Sequence, residues 1–351
     1  MSIAATPTMG FRLDRGALPR WAPWGVAGGF LAVAILLSAA TSVSPALAIV
    51  FAAFLSTATI YGWSRAIEGK RRAVDRAVTY GVTYAFLLAV APLVSLLITV
   101  INRGSARFDT TFFTHTERNV LGVGGGAYHA IMGTLIITGM AALFAIPIGI
   151  LTAIYLVEYG RGRMAKALTF FIDVMTGIPS IVAGLFVLAL FSVFFGPGVR
   201  LGIMGSIALM VLMIPIVVRS TEEVLRIVPN KLREAAYGLG VPKWRIITKV
   251  VLPTALAGIV SGVMLSISRV MGETAPLLVT TGVVDSFNGN PFNGRMQNLA
   301  VFAFNEYKSP GIPKQAFIDR AWAAALTLIL IVMILNLLGR FIYRRFGTEI
   351  R

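Results

Sequence analysis

Two ionisable residues, Arg269 and Glu273, stand four positions apart inside a long apolar stretch of the sequence. A charge at the centre of a bilayer costs about 2.5–3.5 kcal/mol on insertion scales, so two charges in one apolar segment indicate a function. The planar guanidinium group of arginine matches a tetrahedral oxyanion through two parallel hydrogen bonds. We therefore predict that Arg269 holds an anion and that Glu273 orients Arg269 or acts as a gate. The alternative is a structural pair that ties helices together.

Gly272 and Pro276 bracket Glu273, and Thr274 lies between them, so the backbone is expected to leave helical geometry at this point. Such breaks are tolerated in membrane proteins where the freed backbone groups face protein or a water-filled cavity. Several apolar segments share this feature, which favours a bundle around a pathway over ordinary kinks. The mid-segment residues concerned are Pro147, Gly149, Gly177, Pro179, Pro215, Gly272 and Pro276.

Two further charges fall within or beside apolar segments. Asp173 is expected to be a structural partner for a loop cation. Arg219 closes another segment, and its simpler interpretation is a topology anchor at the membrane surface. The alternative is that Arg219 contributes to the inner exit of an anion pathway. The candidate substrate-pathway residues are thus Arg269, Glu273, Thr274 and Arg219.

The composition identifies an integral membrane protein. Of the 351 residues, 57% are hydrophobic and only 13% are charged, with a mean hydropathy of +0.81; soluble domains contain about 25% charged residues. The net charge of +16 is better explained by basic cytoplasmic loops than by nucleic-acid binding. Because the chain has no cysteine and two histidines, we predict no disulfide, thiolate site, metal site or cofactor.

A bilayer crossing needs about 20 mostly apolar residues, and the sequence contains eight candidate spans. The predicted fold class is therefore an all-α polytopic transmembrane helical bundle. A short Ser-Val-Ser-Pro connection makes the first two spans a hairpin. The predicted limits are 24–42, 46–63, 78–101, 129–157, 167–195, 203–220, 254–284 and 322–343.

Basic residues cluster on alternate connections, which places both termini in the cytoplasm by the positive-inside rule. The groups fall within 12–20, 65–76, 161–166, 219–249 and 344–351. The opposite side holds 102–128, 196–202 and 285–321. An alternative at the N-terminus is a signal peptide with a cleavage site near residues 45–48, but a second apolar run starts at once, which favours the hairpin.

Nucleotide-binding signatures do not occur in this sequence. No G-x-x-x-x-G-K-[ST] phosphate loop is present. The glycines between 122 and 126 follow no strand, so they do not fit a dinucleotide fingerprint and are interpreted as a flexible approach to the fourth span. An intramembrane enzyme would need a second acid, base, nucleophile or metal set near Glu273, and the spans supply none. The chain is therefore expected to be neither an ATPase nor another enzyme.

A basic amphipathic segment between Thr221 and Pro253 is the candidate docking element. Apolar residues recur at helical spacing from Leu232 to Leu239, with Lys231, Arg233 and Glu234 on another face. Gly238 and Gly240 are natural helix terminators, and Pro242 suits the start of a second short helix. The alternative is an amphipathic helix that lies on anionic lipid.

This segment resembles the signature of the membrane subunits of bacterial ABC importers, Glu-Ala-Ala-x-x-x-Gly-x(9)-Ile-x-Leu-Pro, with Val250 in place of isoleucine. In that family the loop is the coupling helix, which fits a cleft on the ATPase subunit. The resemblance implies that the coupling residues are Glu234, Ala235, Ala236, Gly240, Leu252 and Pro253. It also argues against a self-sufficient secondary transporter or channel.

Three further runs resemble the phosphate-specific (Pst) permeases, and within them the A-type subunit. These runs are 154–160, 178–186 and Arg-Val-Met-Gly-Glu-Thr-Ala-Pro-Leu-Leu at 269–278. The similarity covers roughly residues 78–345. It implies a MetI-like permease core in the bacterial cytoplasmic membrane, a C-type permease as partner, two ATPase subunits below and a phosphate-binding protein outside. Other oxyanions, molybdate or sulfate, are the alternative substrates.

The resemblance also divides the chain. Residues 1–77 form an appendage of cytoplasmic segment, extra hairpin and basic linker. Residues 78–128 hold the first family-type span and its approach to the core, and 129–345 form the permease domain with its coupling loop at 221–253. Residues 346–351 form a cytoplasmic tail.

Overall fold

Helices account for all the regular structure in the computed structural model, which describes residues 17–19, 21–42, 44–120 and 122–346. No strand occurs among these residues, in agreement with the predicted all-α fold class. The basic residues Arg12, Arg15 and Arg20 and the tail 347–351 lie outside them. The helices are α1 (Ala22–Ala40), α2 (Pro45–Ile67), α3 (Lys70–Gly104), α4 (Thr110–Thr114), α5 (Tyr128–Ile154), α6 (Arg163–Gly177), α7 (Ser180–Phe195), α8 (Gly202–Ile227), α9 (Asn230–Gly238), α10 (Lys243–Ile246), α11 (Leu252–Met271), α12 (Ala275–Thr280), α13 (Leu299–Lys308) and α14 (Lys314–Phe346).

Seven helical stretches in the described part of the chain are long and apolar enough to cross a bilayer, and a bent pair supplies an eighth. The bent pair is α6 and α7, whose axes differ by 107°; the span predicted over 167–195 is therefore a broken one, bent next to Gly177 and Pro179. The span predicted over 254–284 ends at Met271, because the helix breaks there. The sixth span continues beyond residue 220 to Ile227.

Only some of the proline and glycine positions predicted to interrupt a span do so in the structure. Helix α5 runs through Pro147 and α8 runs through Pro215 without interruption. The chain leaves α-helical geometry at Ile178–Pro179 and again at 272–274. Helical π turns at Tyr155–Tyr159 and Ile247–Val251 were not predicted.

The first compact unit, Met1–Ile98, contains the predicted hairpin. Helices α1 and α2 pack through small residues, with Ala34, Ala48 and Ala52 buried between them. Glu68, directly after α2, accepts hydrogen bonds from Nε and Nη2 of Arg76, each at 2.7 Å. This fork lowers the pKa of Glu68 to about 2, so the carboxylate stays charged and secures the turn into α3.

The second compact unit, Thr99–Arg351, has α8 at its centre. Helix α8 packs against α5, α6, α7, α11 and α12. Its most deeply buried side chains include Leu209, Met213 and Val217, and Ile137 and Ala141 of α5 lie in the same apolar core. Helix α9 lies at one end of this unit. The opposite end, which holds the connections 105–127, 196–201 and 281–313, is called the far end below.

A buried charge cluster around Arg320 ties the far end together. Nε of Arg320 lies 2.8 Å from Glu306 and 2.8 Å from Glu117, with hydrogen-bond geometry only towards Glu306. Its Nη1 donates to the carbonyl oxygens of Gly122 (3.0 Å) and Gly124 (2.9 Å). These bonds fix the glycine-rich connection that the sequence suggested to be flexible.

The two carboxyl groups of this cluster share one arginine and cannot both ionise freely. Burial, together with the neighbouring Glu306, raises the pKa of Glu117 to about 8. Burial also raises the pKa of Glu306. Glu117 therefore holds a proton at neutral pH in the folded chain, whereas in the unfolded chain it loses that proton near its ordinary pKa of about 4.5.

Replacing Glu117 by glutamine is expected to flatten the pH dependence of stability. Between about pH 4.5 and about pH 8 the folded chain binds more protons than the unfolded chain, so wild-type stability falls as the pH rises. Glutamine mimics the protonated acid and removes this loss. In thermal unfolding of the detergent-solubilised protein at about pH 9, we expect Glu117→Gln to melt about 2 °C or more above wild type.

The matched control is Asp319→Asn, because Asp319 lies on α14 beside Arg320 but accepts its hydrogen bond from Gln315. This variant should keep the wild-type pH dependence. Equal pH dependence in wild type and Glu117→Gln would contradict a buried, protonated Glu117.

Candidate functional site

Helix α11 has one packed face and one open face in this chain. Its buried residues, Ala255, Ile259, Gly262, Val263, Ser266, Val270 and Met271, recur at helical spacing. Ser261, Leu265 and Arg269 follow one another at intervals of four on the opposite side, and all three are exposed. The open face of α11 therefore carries a hydroxyl group, one large apolar side chain and, at its end, the Arg269 guanidinium.

The predicted break after Arg269 is confirmed. Helix α11 ends at Met271 with Gly272 as its cap, and α12 starts at Ala275 with Pro276 at its second position. The amide of Glu273 still donates to the carbonyl oxygen of Val270 at 3.1 Å. Glu273 and Thr274 are half-buried in the intervening turn. The non-helical turn thus holds the carboxyl group of Glu273 and the hydroxyl group of Thr274, directly after the helical turn that carries Arg269.

Arg269 and Glu273 form no ion pair with each other or with any other residue that the structure describes. Glu273 therefore does not orient Arg269 by direct contact in this conformation. The guanidinium group is not sealed between helices of this chain, which leaves it available to a ligand or to a neighbouring subunit.

The helices that follow the two breaks, α7 and α12, pack against each other. Helix α7 starts after the bend at Pro179, and its buried residue Gly184 faces the backbone of Pro276 at the start of α12. A Cβ atom at Gly184 would lie 2.6 Å from Cα and 2.9 Å from the carbonyl oxygen of Pro276. The absence of a side chain at Gly184 is what allows the two backbones to approach, so α7 supports the turn that holds Glu273.

Asn298 links the far end to the same turn. Its side-chain oxygen accepts a hydrogen bond from the amide of Val301 at 3.0 Å and so caps α13. Its Nδ2 atom donates to the carbonyl oxygen of Glu273 at 3.4 Å. Asn298 is 1% exposed, whereas Glu273 is half-buried, so this bond is partly shielded from water. The sequence argument missed Asn298, although an asparagine before an apolar run is a helix-start signal.

Arg219 lies inside a helix and in an ion-pair network. Its guanidinium contacts Asp173 of α6 through Nη2 and Glu222 through Nη1, the latter at 2.9 Å. Arg226 contacts the other oxygen of Glu222. The expected loop partner for Asp173 was therefore wrong, because the partner belongs to α8. Arg219 also does not close α8, which continues for two more turns.

The docking segment folds as one helix followed by an elbow. Helix α9 ends at Gly238, and Gly240 adopts a left-handed conformation with φ of 72°, as its predicted role as a terminator requires. Glu234, Ala235 and Gly240 are exposed and Ala236 is half-buried. The second short helix predicted for this segment is not a separate element but the start of the seventh span. The chain is helical from Lys243 to Met271, so Leu252 and Pro253 lie half-buried within a membrane span.

One side chain that was assigned to the polar face of α9 turns inward. Arg233 donates to Glu158 at 2.9 Å, and the two side chains are only 14% and 8% exposed. Arg233 also donates to the carbonyl oxygens of Leu225 and Val228. Lys243 contacts the carbonyl oxygen of Glu158 as well. Glu158, at the π-helical end of α5, thus joins α9 to two spans.

The apolar residues of the docking segment that point outward are large. Leu239 is 83% exposed, and Trp244 and Tyr237 are also exposed. This apolar surface lies beside Glu234 and Ala235 and is not covered by the chain itself. As for metals, no group of three or more His, Cys, Asp or Glu side chains comes together among the described residues.

Comparison with known proteins identifies this architecture. The family of binding-protein-dependent transport system inner membrane components matches residues 145–351. The chain belongs to this family. The matched region includes α9, the elbow at Gly240 and all of α11.

Curated relatives of this family member are named as phosphate transport permeases. PstA 1 of Mycobacterium tuberculosis (strain CDC 1551 / Oshkosh) is 46% identical over 281 residues, which cover 79% of this chain and 91% of the relative. PstA of Yersinia pestis is 36% identical over 296 residues, covering 82% and 96%. A chain of a bacterial ABC transporter for alginate import shares the fold, with a TM-score of 0.52, 15% identity, and coverage of 79% and 100%.

Replacing Gly184 by alanine is expected to destabilise this permease by about 1–3 kcal/mol, because the new methyl group would overlap the backbone of Pro276. Gly177→Ala is the matched control, since a Cβ atom at Gly177 meets nothing within 4 Å. Thermal unfolding in detergent measures both variants. Equal melting of the two would show that α7 and α12 do not pack as described.

Proposed function

We propose that this permease is the transmembrane subunit of an ATP-driven importer that carries inorganic phosphate across the cytoplasmic membrane. The observation that carries the proposal is the exposed guanidinium of Arg269 beside a helix break, in a chain whose relatives are named phosphate transport permeases. Molybdate and sulfate are the alternative substrates, because they share the tetrahedral oxyanion geometry.

Arg269 is the residue proposed to hold the anion. Its fork can donate two parallel hydrogen bonds to phosphate oxygens. Thr274, in the turn that follows α11, supplies a hydroxyl donor. Glu273 acts as a gate that competes with the anion for Arg269. This gating role fits the absence of an Arg269–Glu273 contact in the present conformation, among the residues that the structure describes.

The open face of α11 supports a second permease subunit, of the C-type, as partner. Leu265 is 63% exposed on a helix whose other side is fully packed. A charged arginine in the lipid interior of a bilayer is costly, so Arg269 should face a water-filled cavity rather than lipid. A pathway shared between two permeases provides such a cavity, and helix groups that rock around a midplane site would alternate its access.

Arg219 is proposed to lie at the inner exit of the pathway. Asp173 and Glu222 neutralise its charge in this conformation, which would discourage an anion from binding there. Movement of α6 relative to α8 would remove Asp173 and expose the guanidinium. Arg219 would then help to draw the anion towards the cytoplasm.

Hydrolysis is proposed to take place on two separate ATPase subunits, one of which docks on α9 of this chain. Glu234, Ala235 and Gly240 border the exposed side chains of Leu239 and Trp244, which suit a protein cleft. Leu252 and Pro253 would act as the rigid base rather than the contact surface. The Arg233–Glu158 pair gives the motor's movement a direct route into α5.

The orientation follows from the basic connections. Both termini and α9 are proposed to be cytoplasmic, so the far end would face outward, where a phosphate-binding protein delivers the substrate. Residues 129–345 would form the permease domain, 78–128 the first family-type span and its approach, and 1–77 an appendage.

Replacing Arg269 by glutamine should lower phosphate uptake by at least about tenfold, because a charge-assisted interaction worth about 1.5–3 kcal/mol is lost. Assembly should be unchanged, since Arg269 has no ion pair with a described residue. Arg269→Lys keeps the charge but not the fork, so it should recover uptake only in part. Ser261→Ala, on the same open face, is the control.

The measurement is radiolabelled phosphate uptake per assembled complex, with molybdate and sulfate as competitors. Loss of assembly with normal uptake per surviving complex would contradict a role in the pathway. Phosphate transport by the purified chain without any ATPase would contradict the ATP-driven mechanism.

Replacing Gly240 by alanine should weaken coupling, because a left-handed residue with a side chain costs about 1–2 kcal/mol. Gly238→Ala is the matched control, since Gly238 ends a helix in open space. We expect transport-stimulated ATP hydrolysis to fall for Gly240→Ala and to persist for Gly238→Ala, with both complexes assembled. An undiminished stimulation in Gly240→Ala would argue against coupling through this elbow.

A further inference from the structure

Two cationic side chains, Arg200 and Arg295, converge at the far end, beyond the break that follows Arg269. Helix α12 is six residues long, which corresponds to roughly 9 Å of helix. The chain then turns at Gly282, which has a left-handed φ of 73°. Arg200, from the connection between α7 and α8, and Arg295, from the connection before α13, both lie against this glycine.

The two arginine side chains are close to each other. A Cβ atom at Gly282 would lie 3.0 Å from Cδ of Arg200 and 3.4 Å from Cδ of Arg295. The two Cδ atoms are therefore separated by no more than the sum of these distances. Gly282 leaves the space in which both side chains meet, and a residue with a side chain would push them apart.

Arg200 is held in place by the end of α12. Its Nη1 atom donates to the carbonyl oxygens of Leu278, at 3.0 Å, and Val279. These carbonyl groups lie in the last turn of α12, where a cation is favoured by the helix dipole. This contact explains the position of Arg200, but it uses only one of its guanidinium nitrogens and gives no reason for a second arginine beside it.

Arg295 has no comparable structural role. Its side chain is exposed, and none of the ion pairs between described residues includes Arg200 or Arg295. Two adjacent guanidinium groups repel each other when no anion lies between them. Clustered arginine and lysine side chains are a means by which pores select anions and phosphates.

We propose that Arg200 and Arg295 form an outer binding subsite for phosphate, which holds the anion before it passes along α12 to Arg269. This subsite rests on the proposed function, because its orientation and its substrate are those of the importer. Arg200 is the fixed half of the subsite and Arg295 the mobile half. A tetrahedral oxyanion accepts hydrogen bonds from both forks.

The test uses the fact that the chain has no cysteine. Asn293→Cys places a single reporter thiol on an exposed residue two positions before Arg295. In the assembled complex in membranes, without binding protein, an anionic thiosulfonate reagent modifies the thiol. We expect inorganic phosphate at millimolar concentration to slow the modification by about threefold or more at constant ionic strength, because the anion occupies the arginine pair.

Adding Arg295→Gln or Arg200→Gln to the reporter chain should abolish this protection by phosphate. Arg118→Gln is the matched control, since Arg118 is an exposed arginine at the same end of the bundle, and it should keep the protection. An uncharged thiosulfonate should react equally in all variants, which verifies that the fold around position 293 is intact.

The proposal would be overturned by the absence of protection by phosphate, by protection that survives Arg295→Gln, or by protection that appears only when the binding protein is added. The last result would assign the two arginines to protein docking. Arg269→Gln separates this proposal from the proposed function. Uptake should be lost in that variant while phosphate still protects the thiol, and loss of both would mean that no independent outer subsite exists.

Discussion

The close approach of two backbones at Gly184 and Pro276 is the contact on which the rest of the permease domain depends. In a bilayer, backbone groups that leave helical geometry must be buried in protein or face a cavity. The chain has two such breaks, at 178–179 and at 272–274, and the helices that follow them, α7 and α12, pack against each other at Gly184 and Pro276. This packing supports one side of the turn at 272–274. The open face of α11, which carries Arg269, is left uncovered.

A small number of buried contacts also stabilises the end of the bundle that holds α9. A helix of nine residues is too short to be stable alone in water. Arg233 compensates by turning inward to Glu158 and to two carbonyl groups at the end of α8. The large apolar side chains of the segment can then remain exposed without unfolding it. The inward contacts of Arg233 hold α9 against the bundle, and the apolar side chains near its end remain uncovered by the chain itself.

The sequence predicted the features that depend on local patterns. Apolar length predicted the spans, and Gly238 and Gly240 predicted the end of α9, because both features depend on residues close in the chain. The bend of 107° between α6 and α7 was not predicted. Gly177 and Pro179 marked the position, but the angle is set by packing of α7 against α12. Helix α13 was also missed, since its ten residues are too few to cross a membrane.

Partners distant in the chain were the least predictable part of the site. Asp173 and Arg219 are 46 residues apart, and Glu158 and Arg233 are 75 apart. A charge pattern can indicate that each residue needs a partner, but only the packing of α5, α6 and α8 decides which one it meets. The prediction that Glu273 orients Arg269 concerns two residues only four positions apart. They form no ion pair with each other in this conformation, so the orienting role stays a prediction.

The capping residue of α13 has a mechanical consequence. Asn298 holds the first turn of α13 with its oxygen and the carbonyl group of Glu273 with its nitrogen. Any displacement of α13 must therefore carry Glu273 with it or rupture this single bond. A partner that binds at the far end and displaces α13 would therefore also shift the turn beside Arg269, through the amide side chain of Asn298.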